Sequence, residues 1–265
     1  MTISDRQLER YARNIILDEV GEEGQEKLLA SKVLVVGAGG LGAPVLLYLA
    51  AAGVGALGIV DDDTVDLTNL QRQIVHGSDR LGRPKVESAA ATLENLNPDV
   101  RLVRHNLRLD ADSVEKLLAG YDLVVDGSDN FKTRYLLNDA CYFARVPLVS
   151  AALLRFDGQV STFKAYLEGE NPCYRCLFPS TPPADLIPRC EEAGILGAVA
   201  GVIGSLQATE ALKELLGLGE SLSGHLMIYD GLSTTFRKVK VRRAVDCALC
   251  GANPSIKSLA HHRTT

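Results

Sequence analysis

A stretch of 28 residues without a charged side chain, Val33–Val60, limits the possible folds more than any other feature of the sequence. A membrane-spanning helix needs about 20 mainly apolar residues, so length alone would permit one here. However, seven glycines and Pro44 divide the apolar side chains into short runs. Short apolar runs between glycines are typical of buried strands and helices. We therefore interpret the stretch as strand, tight loop, helix, loop and strand, and we expect no membrane span and no membrane partner.

Strand and helix patterns alternate over residues 31–152, after a helical N-terminal segment at residues 5–30. Five apolar runs predict strands, namely KVLVV, GALGIV, VRLVRH, DLVV and PLVSAA. Strands joined by helices favour right-handed crossovers and a parallel sheet that is covered on both faces. The predicted fold class is α/β, a Rossmann-like, doubly wound and mostly parallel sheet.

After the fifth predicted strand the pattern changes. Residues 156–166 alternate as an antiparallel strand does, and residues 225–241 predict a hairpin. Residues 197–217 predict a long buried helix, because their first half carries no charge. The last residues, 252–265, are expected to form a flexible tail. The sequence thus predicts an antiparallel C-terminal extension of the sheet.

Composition excludes several classes of protein. The chain has 46% apolar and 23% charged residues, as soluble globular proteins do, and its net charge is −5. Because nucleic-acid binding relies on a basic surface and the chain has no long Lys/Arg run, we expect no nucleic-acid partner. The N-terminal residues lack the apolar core of a signal peptide, which predicts a cytoplasmic protein.

A glycine-rich loop follows the first predicted strand. Gly37, Gly39 and Gly42 form the pattern G-x-G-x-x-G, which allows a tight turn, close approach of a phosphate, and close packing of strand and helix. The helix that follows directs its free N–H groups at an anion. Asp61 ends the second strand, where a carboxylate can accept from ribose hydroxyls. The loop predicts a nucleotide site, and alone it would indicate a nicotinamide dinucleotide.

Polar residues that follow the second and the fourth predicted strands are expected to surround this loop. They are Asn69, Arg72, Lys85, Asp129 and Asn130. Ligands bind at the carboxyl edge of a doubly wound sheet, where all five positions converge. Two cations beside a carboxylate suit a triphosphate better than a nicotinamide ring.

This arrangement predicts attack on the α-phosphate of ATP with pyrophosphate as leaving group. Arg72 and Lys85 would offset the phosphate charge, and Asp129 would bind Mg²⁺, a hard cation that prefers carboxylate and phosphate oxygens. No nucleophilic side chain is required, because holding two anions in line and neutralising charge supplies most of the rate. Taken singly, Arg72 and Lys85 are better interpreted as ordinary solvated cations, and it is their joint placement around one glycine loop that favours the phosphate role.

Two C-x-x-C motifs predict a metal site. Cys173, Cys176, Cys247 and Cys250 supply four thiolates, which suits tetrahedral structural zinc. A pair of redox dithiols is the alternative, although neither motif opens a helix after a strand. Cys141 lies among apolar residues and is expected to be a buried, inert thiol.

The motifs together resemble a known family. RYARNIIL, VLVVGAGGLG, DDDTVDLTNLQRQ, GRPKVESA, DGSDNFKTR, CYRC, GVIGSLQATEALK and CALCG occur in the order found in ThiF/MoeB-type adenylyltransferases of the molybdopterin-synthase and thiamine sulfur carriers, relatives of the ubiquitin-activating enzymes. The resemblance runs from about residue 5 to residue 251. It implies one adenylating domain over 1–265, with a nucleotide-binding part at 31–152 and a carrier-binding and zinc part at 153–251.

The resemblance also implies residue roles. Residues matching the family's ATP site are Gly37, Gly39, Gly40, Gly42, Asp61, Asp63, Thr68, Asn69, Leu70, Gln71, Arg72, Lys85, Asp129 and Asn130. Asp129 would carry Mg²⁺ and be essential. Arg13 resembles an arginine that reaches into the partner subunit's ATP site, which implies a homodimer with composite sites. Read from the sequence alone, Arg13 is only a cation on a helix surface.

The implied substrate is a ubiquitin-like sulfur carrier ending in Gly-Gly, whose carboxylate attacks ATP before conversion to a thiocarboxylate. Cys190 matches a cysteine that forms a covalent link to the carrier in some members and is dispensable in others. Ala198 departs from the family, in which proline is frequent there. A chain of 265 residues leaves no room for the rhodanese domain of longer relatives, so we expect a separate sulfur-donor protein.

We favour the molybdopterin carrier, because AALLRFDGQVSTF and GVIGSLQATEALK are closer to that branch. The thiamine-pathway carrier is the near alternative. Two further hypotheses are an NAD-dependent oxidoreductase, supported only by the glycine loop and Asp61, and a catalytically silent carrier-binding scaffold, against which Arg72, Lys85 and Asp129 argue.

Overall fold

Eight strands form one sheet in the part of the chain that the structure describes. The computed structural model covers residues 3–167, 169–181 and 193–263. The strands are β1 (Lys32–Val36), β2 (Ala56–Val60), β3 (Arg101–His105), β4 (Leu123–Asp126), β5 (Leu148–Leu154), β6 (Asp157–Phe163), β7 (His225–Asp230) and β8 (Thr235–Lys240). Their order in the sheet is β3-β2-β1-β4-β5-β6-β7-β8.

Strands β1 to β5 are parallel, and β6, β7 and β8 continue the sheet in antiparallel pairing. The chain leaves β1 toward β2 and β3 on one side, and later returns to place β4 on the other side of β1. The carboxyl ends of β1 and β4 therefore form the switch point at which such sheets bind ligands. The predicted fold class, a Rossmann-like, mostly parallel α/β sheet with an antiparallel C-terminal extension, is confirmed.

Helices cover both faces of the parallel strands. They are α1 (Asp5–Ile15), α2 (Gly21–Ala30), α3 (Gly42–Ala51), α4 (Lys85–Leu96), α5 (Ala111–Leu118), α6 (Phe131–Ala144), α7 (Tyr174–Leu177) and α8 (Gly197–Leu216). Side chains of β1 alternate between two cores: Val33 and Val35 pack with α3, α4 and α8, whereas Leu34 and Val36 pack with α5 and α6. Burial on both faces explains the continuous apolar runs of the sequence.

Helix α8 packs against α3 and against strands β5 and β6. A glycine allows the close approach of the two helices, because a Cβ atom at Gly204 would lie 2.3 Å from Cγ of Pro44. Helix α8 therefore ties the antiparallel extension to the nucleotide-binding part of the sheet. The extension ends in β8, an edge strand of which every residue is exposed.

Residues 252–263 differ from the flexible tail expected from the sequence. The helical turn Leu259–His262 packs against α5 and α6, and Leu259 is 2% exposed. The Nε2 atoms of His261 and His262 lie 3.0 Å and 2.9 Å from Oδ2 of Asp139, a fully buried carboxylate. The buried side chain of Leu259 and the contacts of the two histidines with Asp139 thus hold this segment, for which the polar composition predicted no ordered structure.

None of the helices in the described ranges combines the length and the apolar character that crossing a bilayer requires.

Candidate active site

A cavity of about 820 Å³ opens at the carboxyl edge of the parallel strands. One wall consists of the glycine loop between β1 and α3, the residues that follow β2, and the turn between β4 and α6. The opposite wall comes from β5, β6 and α7. The cavity therefore lies between the nucleotide-binding part and the antiparallel extension. Nine predicted site residues line it: Gly37, Gly39, Gly40, Asp61, Asp63, Arg72, Lys85, Asp129 and Asn130.

Two glycines of the loop lie too close to neighbouring backbone for any side chain. Gly37 has a φ of +92°, and a Cβ atom there would be 2.8 Å from the carbonyl oxygen of Gly127. A Cβ atom at Gly42 would lie 1.8 Å from the carbonyl oxygen of Gly37. Gly42 does not line the cavity, and its absent side chain allows the first turn of α3 to pack directly on the loop.

Asp61 supports the loop from the end of β2. Its Oδ2 accepts from the N–H of Ala38 at 2.8 Å, and its Oδ1 accepts from the N–H of Asp63 at 2.9 Å. Burial raises the pKa of the Asp61 carboxyl, while the nearby charge of Lys85 and these two hydrogen bonds oppose the rise. The carboxylate thus fixes two backbone segments and still faces the cavity, where ribose hydroxyls could reach it.

Two cations face the loop. Nζ of Lys85 lies 2.8 Å from Oδ2 of Asp63, and Lys85 is 4% exposed although Asp63 is exposed. Arg72 donates to the carbonyl of Thr68 at 3.2 Å, and its stem lies over Gly40, where a Cβ atom would be 3.4 Å from Cγ of Arg72. Both cations are therefore within reach of a triphosphate bound at the loop.

Asp129 and Asn130 begin the segment after β4. Asn130 caps α6 by accepting from the N–H of Thr133 at 2.9 Å, so its side chain has a structural partner. Asp129 is exposed, lines the cavity and makes no ion pair among the described residues. A carboxylate at this position is available as a ligand for a hard cation such as Mg²⁺.

The remaining residues of the predicted ATP set, Thr68, Asn69, Leu70 and Gln71, do not line the cavity. They belong to the helical turn Leu67–Asn69 and the residues after it, next to Arg72. Oδ1 of Asn69 accepts from Gln73 at 2.9 Å, and Gln73 does line the cavity. In the structure this segment positions Arg72 and Gln73 rather than forming the wall itself.

Arg13 and Cys190 lie apart from the other predicted residues. Arg13 is exposed in the last turn of α1, does not line the cavity of its own chain, and has no ion pair in the described ranges. Ile16 and Leu17, which follow it, are also strongly exposed. Cys190 lies outside the described residues.

Two residues at the site were not predicted from the sequence. Arg134 on α6 is 8% exposed and lines the cavity; it donates to the carbonyl of Ser128 at 2.8 Å, and its buried Nε has no partner among the described atoms. Its position four residues after the cap of α6 places it on the same helix face, which the sequence could have indicated. His76 is buried behind the glycine loop.

The four predicted zinc ligands converge in space. The Sγ atom of Cys173 lies 3.8, 3.5 and 3.5 Å from the Sγ atoms of Cys176, Cys247 and Cys250. A zinc–sulfur bond of about 2.3 Å places tetrahedral thiolates about 3.8 Å apart, so the cluster fits a structural zinc ion. The knuckle of Cys173 and Cys176 holds α7, whose Tyr174 lines the cavity. Cys141 is buried outside the cluster, and burial strongly raises the pKa of its thiol.

Comparison with known proteins agrees with this geometry. The model of the ThiF family matches residues 11–249, which is most of the chain. The chain belongs to the ThiF family. The resemblance stated from the sequence motifs is therefore confirmed, and all the residues that line the glycine-loop wall lie within the matched region.

Curated relatives cover this ThiF-family chain almost completely. "SAMP-activating enzyme E1" of Haloferax volcanii is 53% identical over 95% of this chain and 92% of that protein. "Sulfur carrier protein adenylyltransferase" of Thermus thermophilus is 50% identical over 99% of this chain and 97% of that protein. "Adenylyltransferase and sulfurtransferase MOCS3" of Aedes aegypti is 48% identical, and the match spans 58% of its length. The predicted enzyme class, an adenylyltransferase, is confirmed.

Solved structures agree on the fold. MccB of Escherichia coli has a TM-score of 0.80 at 22% identity, covering 96% of this chain and 75% of that one. A structure of MccB with ATP has a TM-score of 0.76 at 24% identity, covering 91% and 74%. At these identities, the likeness concerns the architecture of this ThiF-family chain alone.

Proposed function

We propose that this protein adenylates the C-terminal carboxylate of a small ubiquitin-like sulfur carrier that ends in Gly-Gly. The observation that carries the proposal is one cavity in which the glycine loop, two cations and a free carboxylate face the apolar end of β5 and the start of β6. Two cations at the loop, Arg72 and Lys85, suit the larger negative charge of a triphosphate better than the diphosphate of a nicotinamide coenzyme. The names of the relatives from Haloferax volcanii and Thermus thermophilus support the same reaction.

The triphosphate is proposed to bind at the glycine loop, with its ribose at Asp61. Lys85 would exchange Asp63 for a phosphate oxygen, and Arg72 would approach from above Gly40. Asp129 would hold Mg²⁺, which supplies positive charge to the phosphates when bound. Preorganised cations of this kind stabilise the charge that develops during phosphoryl chemistry without reorganising.

The carrier's carboxylate oxygen then forms a bond to the α-phosphorus, and the bond from that phosphorus to the β-phosphate oxygen breaks. The products are carrier acyl-adenylate and pyrophosphate. Arg134 is available to orient the attacking carboxylate, because it is a buried cation with a free Nε on the cavity wall. Ala152 lines the opposite wall, where its small side chain leaves room for an extended Gly-Gly tail.

Several further features belong to the proposal. Arg13 is proposed to complete the ATP site of a partner subunit in a homodimer, which is consistent with its exposure beside the apolar Ile16 and Leu17. Zinc is proposed to bind the four clustered thiolates and to hold α7 against the cavity. The sulfur donor is proposed to be a separate protein whose sulfur replaces AMP on the activated acyl group. Whether Cys190 takes part is left to experiment.

The molybdopterin carrier is the favoured substrate, and the thiamine-pathway carrier is the alternative. The name MOCS3 among the relatives joins adenylyl transfer with sulfur transfer and is compatible with both. Competition between the two purified carriers for one enzyme preparation would rank them by kcat/KM.

Exchange of labelled pyrophosphate into ATP tests the proposal. We expect exchange that depends on a Gly-Gly carrier and on Mg²⁺, and that is lost when the carrier's last glycine is removed. Exchange with neither carrier, combined with binding of NADH at the glycine loop, would overturn the proposal in favour of an oxidoreductase. A chain that bound carriers but no nucleotide would instead be a scaffold.

A further inference from the structure

His76 touches the nucleotide-binding loop from its buried side. It lies between β2 and α4, is 8% exposed, and does not line the cavity. Its Nε2 is 2.9 Å from the carbonyl oxygen of Ala38, the residue between the first two glycines of the loop. Its Nδ1 is 2.9 Å from Oγ of Ser88 on α4. The ring therefore connects the loop to the helix that begins with Lys85.

The two contacts determine the protonation of the ring. A carbonyl oxygen only accepts hydrogen bonds, so Nε2 must carry the proton, and Nδ1 then accepts from the hydroxyl of Ser88. Burial, followed by the charges of Lys85 and Arg80, lowers the pKa of His76 to about 4, although the bond to Ala38 opposes this. The ring is consequently neutral at physiological pH, with one defined tautomer.

The contact with Ala38 also determines where the next amide points. In a trans peptide the C=O of one residue and the N–H of the following residue point in opposite directions. Because His76 fixes the Ala38 carbonyl toward the interior, the N–H of Gly39 is turned toward the cavity, which Gly39 lines. This N–H donates to no other described group.

Asp61 fixes the other side of the same residue, since its Oδ2 accepts from the N–H of Ala38 at 2.8 Å. Ala38 is thus held at its N–H by a carboxylate and at its C=O by an imidazole. If the carbonyl turned outward, its partial negative charge would face the phosphates in place of an N–H. A loop held in the binding orientation before the ligand arrives avoids an ordering cost on binding.

We infer that His76 is a positioning residue for the phosphate-binding loop: it holds the Ala38–Gly39 peptide so that the Gly39 N–H faces a bound triphosphate. The inference rests on the proposed function only for the identity of the ligand. The orientation of the peptide and the state of the ring are properties of the protein without nucleotide.

Nitrogen-15 NMR of the histidine rings in the nucleotide-free protein tests the protonation state inferred for His76. We expect His76 to be neutral with its proton on Nε2 at pH 6, while an exposed histidine is partly protonated there. A ring protonated on Nδ1, or doubly protonated at this pH, would overturn the inference whatever the enzyme's activity.

Substitution of His76 tests whether its contact with the loop supports ATP binding. His76→Phe keeps a ring but removes both hydrogen bonds, and we expect ATP binding, measured by calorimetry, to weaken about tenfold, as for one lost charge-assisted hydrogen bond. The KM for ATP should rise while the KM for the carrier does not. His76→Gln can again donate to Ala38 and should recover part of the affinity, whereas the shorter His76→Asn should not.

His105→Phe is the matched control, because His105 is half-buried, bonds the hydroxyl of Tyr121 at 3.0 Å and lies outside the cavity. It should leave ATP affinity unchanged. Equal ATP affinity in wild type and His76→Phe would overturn the inference. If His76→Phe does not fold, equal ATP affinity of His76→Gln and His76→Asn would overturn it instead. Failure of wild type to bind ATP would instead refute the proposed function, and the ring tautomer would still test the loop.

Discussion

The two halves of the sheet are stabilised in different ways. In the parallel half, β2 and β4 are completely buried, and the large apolar core extends from them to helices on both faces. In the antiparallel half, β7 is mostly half-buried and β8 is exposed, and the small core near the cysteines contains only a few apolar residues. Polar links add to apolar burial there: the four clustered thiols, and the ion pair by which Arg175 of α7 contacts the buried Asp139 of α6.

The difference explains where the polar groups of the site lie. The glycine loop, Asp61, Lys85 and Asp129 sit on the half with the larger apolar core, so we expect their positions not to depend on a metal ion at the cysteine cluster. Small cores usually need a metal or disulfide for stability, and the four clustered thiols of the antiparallel half are compatible with such a metal. We therefore expect substitutions in the first half to alter chemistry or packing, and those in the second half to alter local order.

The largest effect is expected for Asp129→Ala. The exposed side chain contributes little to packing, but loss of its charge should lower carrier-dependent pyrophosphate exchange by about 10³-fold or more, as for a lost electrostatic group at a reacting centre. Thermal unfolding and zinc content should not change. Asp99→Ala, at another exposed aspartate, is the control, and near-normal exchange in Asp129→Ala would refute the role of this residue.

Gly42→Ala should show that packing in the parallel half is tight. The new Cβ atom would lie 1.8 Å from a backbone oxygen, so the loop or α3 must move, at a cost of more than about 3 kcal/mol in the free energy of unfolding. Chemical denaturation measures the change. Gly120→Ala meets nothing closer than 3.5 Å and should change stability by under about 1 kcal/mol. Equal effects of the two substitutions would contradict this comparison.

Removal of the metal should affect the two halves of the sheet differently. We expect about one zinc per chain by elemental analysis, as in other four-thiolate sites, and a chelator or Cys250→Ser should release it. Hydrogen exchange should then rise around α7 and residues 244–256, while β1, β2 and β4 remain protected. Cys141→Ser, which removes a thiol outside the cluster, should retain the metal. Simultaneous loss of protection in both halves would show that they unfold as one unit.

Asp139→Asn should have the smallest effect, and one that depends on pH. Burial raises the pKa of Asp139, but hydrogen bonds and charge from Arg175 and a hydrogen bond from His262 outweigh it, so the pKa falls below its ordinary 3.8. A lowered pKa stabilises the fold above pH 3.8, and the contribution is lost as pH falls through the folded value.

The asparagine variant should therefore be less stable by about 2 kcal/mol at pH 7, because it leaves the half-buried Arg175 without its counter-ion. The difference should shrink only below pH 3.8. Urea denaturation at a series of pH values measures it, with Asp112→Asn at the exposed pair with Arg263 as control. A difference that did not vary with pH would show that the charge is not responsible.

Much of the fold could be predicted from the sequence because its strongest signals are local. Continuous apolar runs indicate strands buried on both faces, and the glycine spacing indicates the loop between β1 and α3. The tail was harder to predict, since Leu259 is a single apolar residue whose partner, α6, is more than a hundred residues away in the chain. Contacts of this kind leave no periodic pattern.

Some residues of the site could be predicted from the sequence and others could not. Arg72, Lys85 and Asp129 follow strand ends, and the rule that ligands bind at the carboxyl edge places them together. No such rule predicts the position of His76, because its proposed function depends on a contact with Ala38, which is 38 residues earlier in the chain. The proposed role of Arg13 depends on a second copy of the chain, and the position of Asn69 depends on its contact with Gln73.

The exposed strand β8 has a consequence for how the protein behaves in solution. An unpaired outer strand offers its backbone to any other chain, which is the usual start of edge-to-edge aggregation. Here the strand and the residues after it carry Arg237, Lys238, Lys240 and Arg242; Lys238 and Lys240 pair with Glu220 and Glu170, whereas the two arginines make no ion pair among the described residues. Two copies brought edge to edge would set these cations against one another, so the overall acidic molecule keeps a locally basic rim that favours solubility over fibril growth.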